Sequence, residues 1–236
     1  KHTRHHANPN HEDQDPDVAA GALVWTQSQA QSTSGAMRWL ARNQAYLFFP
    51  LLFLEGLNLH VVSVKEVLTT SMRHRRTEAI LLVIGFAAYL TAIFTVLPIG
   101  MAFAFIAVHQ ALFGLYMGVS FAPNHKGMPI LTADDELDFL RKQVLTSRNV
   151  NGGPIVDFML GGLNYQIEHH LFPSMARSNL HKAQPIVEEF CREIGVSYLS
   201  ADAVDSYKQA LSYLNEVGHS AVEVAENREY APVVGV

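Results

Sequence analysis

Two clusters of side chains capable of holding a metal ion share one spacing. His2, His5 and His6 form H-x-x-H-H, and Gln166, His169 and His170 form Q-x-x-H-H. On a helix, positions i, i+3 and i+4 lie on one face. Each cluster can therefore aim three side chains at one point, or two at one metal ion and the third at its neighbour. Imidazole suits zinc, copper, iron and nickel. The single cysteine, Cys191, excludes a cysteine-rich zinc site and an internal disulfide framework. Either cluster alone reads more readily as a surface run of polar residues, and the first also as the remnant of a purification tag. The repeated spacing is what argues for a shared metal site.

A further imidazole stands at the end of an apolar run, in Asn124-His125-Lys126-Gly127. Beside the two clusters it is a candidate ligand. His109 lies inside the same run and reads as a satisfied polar residue. His60 closes another apolar segment and is ambiguous, while His11, His74, His181 and His219 read as solvated or interfacial. Glu168 falls between ligand positions and points off their face, so its expected role is a hydrogen bond to a ligating imidazole.

These side chains need elements that bring residues 2–6, 125 and 166–170 together. From Ala79 to Ala122 there is no Asp, Glu, Lys or Arg. A bilayer span takes about 20 mostly apolar residues, so this run holds two spans, Glu78 to Leu97 and Met101 to Phe121, with Pro98-Ile99-Gly100 as the turn. Arg73, Arg75 and Arg76 precede the pair and Lys126 follows it, which places both outer ends in the cytoplasm. The earlier apolar segment, Ala45 to Val64, is interrupted by Glu55, Asn58 and His60 and reads as an interfacial or re-entrant helix. Two full crossings then put both histidine clusters on the same face, as a shared site requires.

The organisation expected is a polar segment over 1–36 with the first cluster, an interfacial helix and basic loop over 37–77, and two transmembrane helices over 78–121. A cytosolic helical region with the second cluster follows over 122–218, then a flexible tail over 219–236. Within the fourth part, Ala133 to Arg148 is expected to be helical. The rows Ile186, Phe190, Ile194 and Tyr207, Leu211, Leu214 predict two amphipathic helices. The fold class is all-α and membrane-integral: a transmembrane hairpin, an interfacial helix and a cytosolic helical cap carrying a di-metal site. The net charge of -5 and the lack of a basic patch exclude nucleic acid as a partner.

The sequence resembles the membrane fatty acid desaturases, whose signature is three histidine boxes. Asn164-Tyr165-Gln166-Ile167-Glu168-His169-His170-Leu171-Phe172-Pro173 is similar to the third box in its glutamine form. His2-Thr3-Arg4-His5-His6-Ala7-Asn8-Pro9-Asn10 resembles the second box and its continuation, and Phe121-Ala122-Pro123-Asn124-His125-Lys126-Gly127 the segment that supplies one more ligand. The first box has no counterpart here, so the expectation is of a carboxyl-terminal fragment, inactive alone. The resemblance implies two iron ions on His2, His5, His6, His125, His169 and His170, with Gln166 a ligand or near-ligand. It implies no catalytic group apart from the metal ligands. The reaction implied is oxygen-dependent removal of two hydrogens from a long-chain acyl-CoA or acyl-lipid. Electrons would come from ferredoxin or a b-type cytochrome with its NAD(P)H reductase. A hydroxylase of the same fold, and from another class a membrane metal transporter, are the competing expectations.

Overall fold

Chain folding here divides between long apolar helices that bury little within the protein and shorter elements that carry most of the buried polar residues. The computed structural model describes residues 1–71 and 73–229. In order the elements are α1 (His2–Ala7), α2 (Gln27–Ser32), α3 (Gly35–Arg42), α4 (Gln44–Thr69), α5 (Arg75–Val96), α6 (Ile99–His125), α7 (Phe139–Leu145), β1 (Asn149–Asn151), α8 (Gly153–Met159), α9 (Gln166–Leu171), α10 (Arg177–Glu193), β2 (Ser200–Asp202) and α11 (Ala203–Glu229). They form two units, one of residues 1–48 with 120–236 and one of residues 49–119.

In the unit of residues 49–119, α4, α5 and α6 are each long and apolar enough to cross a membrane, with mean hydropathies of 1.7, 2.4 and 1.6. Ile80, Leu81, Val83 and Ile84 on α5 are all more than half exposed, a surface suited to lipid rather than water. Contact between helices relies on small residues. A Cβ on Gly114 would lie 2.5 Å from the Gly56 nitrogen and 2.5 Å from the Leu52 oxygen, so only glycine lets the two backbones approach this closely. His109 Nδ1 meets the Tyr89 hydroxyl at 2.8 Å, so this polar residue inside an apolar helix is satisfied, as expected.

The apolar segment before the hairpin, read as a helix over 45–64, is a helix that extends further: α4 runs for 26 residues, Gln44–Thr69. Pro50 falls near its start, and Asn58 donates to the Glu55 carboxylate at 3.1 Å on the same helix, so neither polar residue breaks it.

The other unit carries two apolar clusters. Val24, Ala30, Ala41, Val217 and Ala221 join α2, α3 and α11; Val144, Ile167, Val187, Cys191 and Val196 join α7, α9 and α10. Thr26 caps α2 by accepting from the Gln29 N–H, and Asp138 caps α7 through the Arg141 N–H. A short parallel pairing of β1 with β2, Asn149 opposite Ser200, is an addition to the all-α expectation.

Three local expectations are corrected. Only Phe139–Leu145 of the stretch Ala133 to Arg148 is helical, because Asp138 caps the helix late and the residues before it form turns. Both amphipathic helices exist, but α10 buries Leu180, Val187 and Cys191, while Ile186 and Phe190 are 71% and 46% exposed. The chain after His219, expected to be a frayed tail, continues α11 to Glu229; residues 230–236 of that tail lie outside the described residues.

Candidate metal centre

The first histidine cluster forms α1 and the second forms α9, each a six-residue helix. Helices this short are marginal alone and are held by tertiary contacts. On α9, Ile167 is fully buried in the cluster with Val144 and Val187, which turns Gln166, His169 and His170 the other way. Glu168 follows Ile167 rather than the histidines. It accepts from Asn149 Nδ2 and from the Tyr198 hydroxyl, both at 2.7 Å, instead of bonding an imidazole as expected. Burial raises its carboxyl above the ordinary value against these two donors.

His125 is the last residue of α6, and Gly127, at φ 81°, turns the chain immediately after it. A Cβ at that glycine would lie 3.0 Å from the Gln209 oxygen. Arg148, fully buried, donates to the carbonyl oxygens of Pro123 and Lys126 at the end of the same helix, and to Ser206 O and Gln209 Oε1 on α11.

The six imidazoles assemble as two adjoining trios, His2/His6/His169 and His5/His125/His170. Within each trio one nitrogen per ring lies within 4.8 Å of the others. Each box is thus split: α1 gives His2 and His6 to one trio and His5 to the other, while α9 gives His169 to the first and His170 to the second. Of the two arrangements the spacing allows, this is the divided one. The trios share a wall where the His6 and His170 rings stack, 4.3 Å between centroids.

In the His5/His125/His170 trio every Nδ1 is engaged. His5 meets Asp15 Oδ2 at 2.8 Å, His125 meets the Thr146 carbonyl oxygen at 3.0 Å, and His170 meets Gln143 Oε1 at 2.9 Å. Gln143 Nε2 donates to the His6 carbonyl oxygen at 3.0 Å, which fixes the orientation of that amide. Carbonyl oxygens only accept, so His125 and His170 each carry a proton on Nδ1 and leave Nε2 unprotonated. Those two Nε2 atoms are 3.0 Å apart. Burial first, and then the neighbouring imidazoles, hold His170 well below the ordinary histidine range, so no second proton is available. Facing lone pairs at that distance repel unless a cation lies against both. The donor set fits a metal ion.

In the other trio His2 and His6 bring Nε2 atoms to 3.1 Å. Burial, then the charges of neighbouring imidazoles, push His6 and His169 down to about 4, which keeps both neutral and ligand-ready. Gln166 lies beside this assembly rather than outside it: its Nε2 reaches His125 Nε2 at 2.9 Å, and its Oε1 accepts from Asn124 Nδ2 at 3.2 Å. The oxygen expected to approach a metal is thus engaged by Asn124. All seven sequence-derived candidates are in one neighbourhood.

Sequence reasoning missed the residues that orient the rings. Asp15 is 2% exposed and Gln143 and Thr146 are fully buried. Asp15 stood in the stretch Asp15-Pro16-Asp17, which reads as a turn; nothing in its local pattern signals contact with His5. Asn10 has a left-handed backbone, φ 53°, and its side chain donates to His125 O at 3.0 Å and Pro129 O at 3.3 Å. The turn signal at Asn8-Pro9-Asn10 was legible, its partners 115 and 119 residues away were not. His11, read as solvated, is 7% exposed and bridges to Leu131.

Comparison with known proteins identifies the family. Residues 1–201 match the family profile described as fatty acid desaturase. An acyl-lipid (9-3)-desaturase of Physcomitrium patens is 36% identical over 59% of this chain and 25% of its own length. A Delta(6)-fatty-acid desaturase of Caenorhabditis elegans is 37% identical over 48% of this chain and 26% of its own. An acyl-lipid 8-desaturase of Rebecca salina is 26% identical over 91% of this chain and 49% of its own. The chain therefore spans between about a quarter and a half of the length of these relatives. No solved structure matches. With three helices apolar enough to cross a membrane and a profile match over residues 1–201, this is an integral-membrane protein of the fatty acid desaturase family.

Proposed function

We propose that this chain forms the larger part of the histidine-ligated di-iron centre of an oxygen-dependent fatty-acyl desaturase. The observation that carries the reading is the pair of adjoining imidazole trios with ring nitrogens converging in each. His2, His6 and His169 hold one ion and His5, His125 and His170 the other. Gln166 stands beside the second as a near-ligand, its amide oriented by Asn124. Two irons in these positions supply the redox capacity to remove two hydrogens from an unactivated acyl chain with dioxygen as oxidant. The protein's share is to fix the rings, keep them neutral through burial and hold them apart from thiolates, which would themselves oxidise.

The substrate is a long-chain acyl-lipid or acyl-CoA, and an external ferredoxin or b-type cytochrome with its NAD(P)H reductase delivers electrons. The acyl-lipid relatives favour the lipid form. The centre lies on the cytoplasmic face. Arg73, Arg75 and Arg76 before α5 and Lys126 after α6 favour the cytoplasm for the outer ends of α5 and α6. α5 and α6 are the crossing pair; α4, with Glu55, Lys65 and Glu66, does not cross.

Iron analysis of the full-length protein tests the centre: about two irons per chain are expected, and none would overturn it. Expression in a host of defined lipid profile, with double bonds mapped in the fatty acids, tests the reaction. Exclusively hydroxylated products would replace desaturation by hydroxylation.

A further inference from the structure

The two trios use the same side chain but hold it differently. Around His5, His125 and His170 each Nδ1 has an acceptor, and the three residues are 6%, 6% and 1% exposed. One of those acceptors is a carboxylate that is itself held: Asp15 Oδ2 also accepts from the Asn10 N–H and Oδ1 from the Asp17 N–H, each at 2.8 Å. Asn10 adopts its left-handed backbone while donating that N–H, and its side chain ties to His125 O. Asp15 is thereby braced against the helix end that presents His125. Around His2, His6 and His169 the pattern is absent. His6 Nδ1 is buried without a partner, His2 is exposed, and no ring of this trio has a protein acceptor on Nδ1 among the described residues.

We propose that the two trios are inequivalent metal sites, that His5/His125/His170 binds its ion more tightly, and that Asp15 is the positioning residue responsible. This deepens the di-metal reading and rests on it. Rings fixed before the ion arrives lose little rotational freedom on binding. A carboxylate on the far nitrogen of a ligating imidazole also raises its basicity. The His2/His6/His169 rings must be oriented by the ion itself, so the second site fills later and empties first.

The test is an anaerobic titration of the metal-stripped full-length protein with Co(II), read by visible absorption and by the binding isotherm. Two steps separated by at least ~10-fold in affinity are expected. Asp15→Asn should weaken the tighter step by about 10–100-fold, the range for such outer partners, change its absorption spectrum and leave the weaker step unchanged. Asp15→Glu should restore part of the loss. Two variants carry the ordering without touching Asp15: His170→Ala removes the tighter step, and His169→Ala removes the weaker one alone. Two equal steps, or loss of the tighter step in His169→Ala, overturn the inequivalence while keeping the di-metal reading. Weakening of both steps alike by Asp15→Asn, or of neither, overturns the role of Asp15. No Co(II) binding at all overturns the di-metal reading itself.

Discussion

Gln143 holds His170 with one end of its amide and the backbone of His6 with the other: Oε1 accepts from His170 Nδ1 at 2.9 Å and Nε2 donates to His6 O at 3.0 Å. One fully buried side chain on α7 thus sets a ring of the Gln166–His170 cluster and the helix of the His2–His6 cluster. The trios adjoin through those same two residues.

Gln143→Leu is close to it in size and leaves both groups unpartnered. His170 loses the acceptor that keeps its proton on Nδ1, and its ring becomes free to flip. Metal affinity, measured by competition with a chelator, should fall by about 10–100-fold, with the helical content by circular dichroism retained. Unchanged affinity would show that burial alone orients His170.

That dependence marks where sequence reasoning stops. Helix periodicity fixes which residues of an H-x-x-H-H run share a face, so the histidines and Gln166 were legible at once. The hairpin was legible too, because hydrocarbon demands a long uncharged run. Gln143, Asp15, Thr146 and Arg148 leave no such mark. Each acts through a partner 10 to 137 residues away, and a lone polar residue in a polar stretch has no period to betray it. The stripe on α10 failed for a related reason. Ile186, Phe190 and Ile194 repeat as well as Leu180, Val187 and Cys191 do, and only the tertiary packing decides which row is covered.

Arg148→Met should destabilise the protein strongly. Burial pushes the guanidinium down to about 10, still charged at neutral pH, and its donors satisfy three carbonyl oxygens and Gln209. Methionine fills part of the space but donates nothing. Each buried acceptor left bare costs about 1–3 kcal/mol, so a total loss of about 3 kcal/mol or more is expected, read as a lower denaturation midpoint in detergent. Arg148→Lys keeps the charge without the planar fork and should recover only part of it.

Gly114→Leu probes the helices of residues 49–119. The side chain would begin 2.5 Å from backbone atoms of both Gly56 and Leu52, which cannot yield as a flexible side chain can. The expected outcome is a sharp fall in thermal stability in detergent. Gly85→Ala is the control: nothing lies within 4 Å of its added Cβ, and replacing a mid-helix glycine should leave stability equal or slightly higher.

Acid should unfold the metal-stripped protein early. His6 and His169 titrate near 4 when folded, against 6.5 ordinarily. The unfolded chain therefore binds protons that the folded chain refuses. Stability is at its full value above about 6.5, declines as pH falls toward 4, and stops changing through these groups below that. Thermal midpoints measured from pH 7.5 to 4 should show this decline, and bound metal should shift its onset to lower pH. A flat profile for the stripped protein would mean the two rings are protonated in place.

The pairing of β1 with β2 brings Asn149 beside Ser200, and α11 then reaches back to the start of the chain. The Tyr213 hydroxyl donates to the Trp25 carbonyl oxygen, and Gln44 Nε2 donates to the Leu214 carbonyl oxygen at 2.9 Å. The segment that follows the His2–His6 cluster is therefore pinned by a part of the chain synthesised after α5 and α6. On the ribosome, α5 and α6 can enter the bilayer while residues 1–43 still have nothing to close against. A nascent chain halted before β2 is therefore expected to sit in lipid while residues 1–43 still lack the partner that α11 supplies.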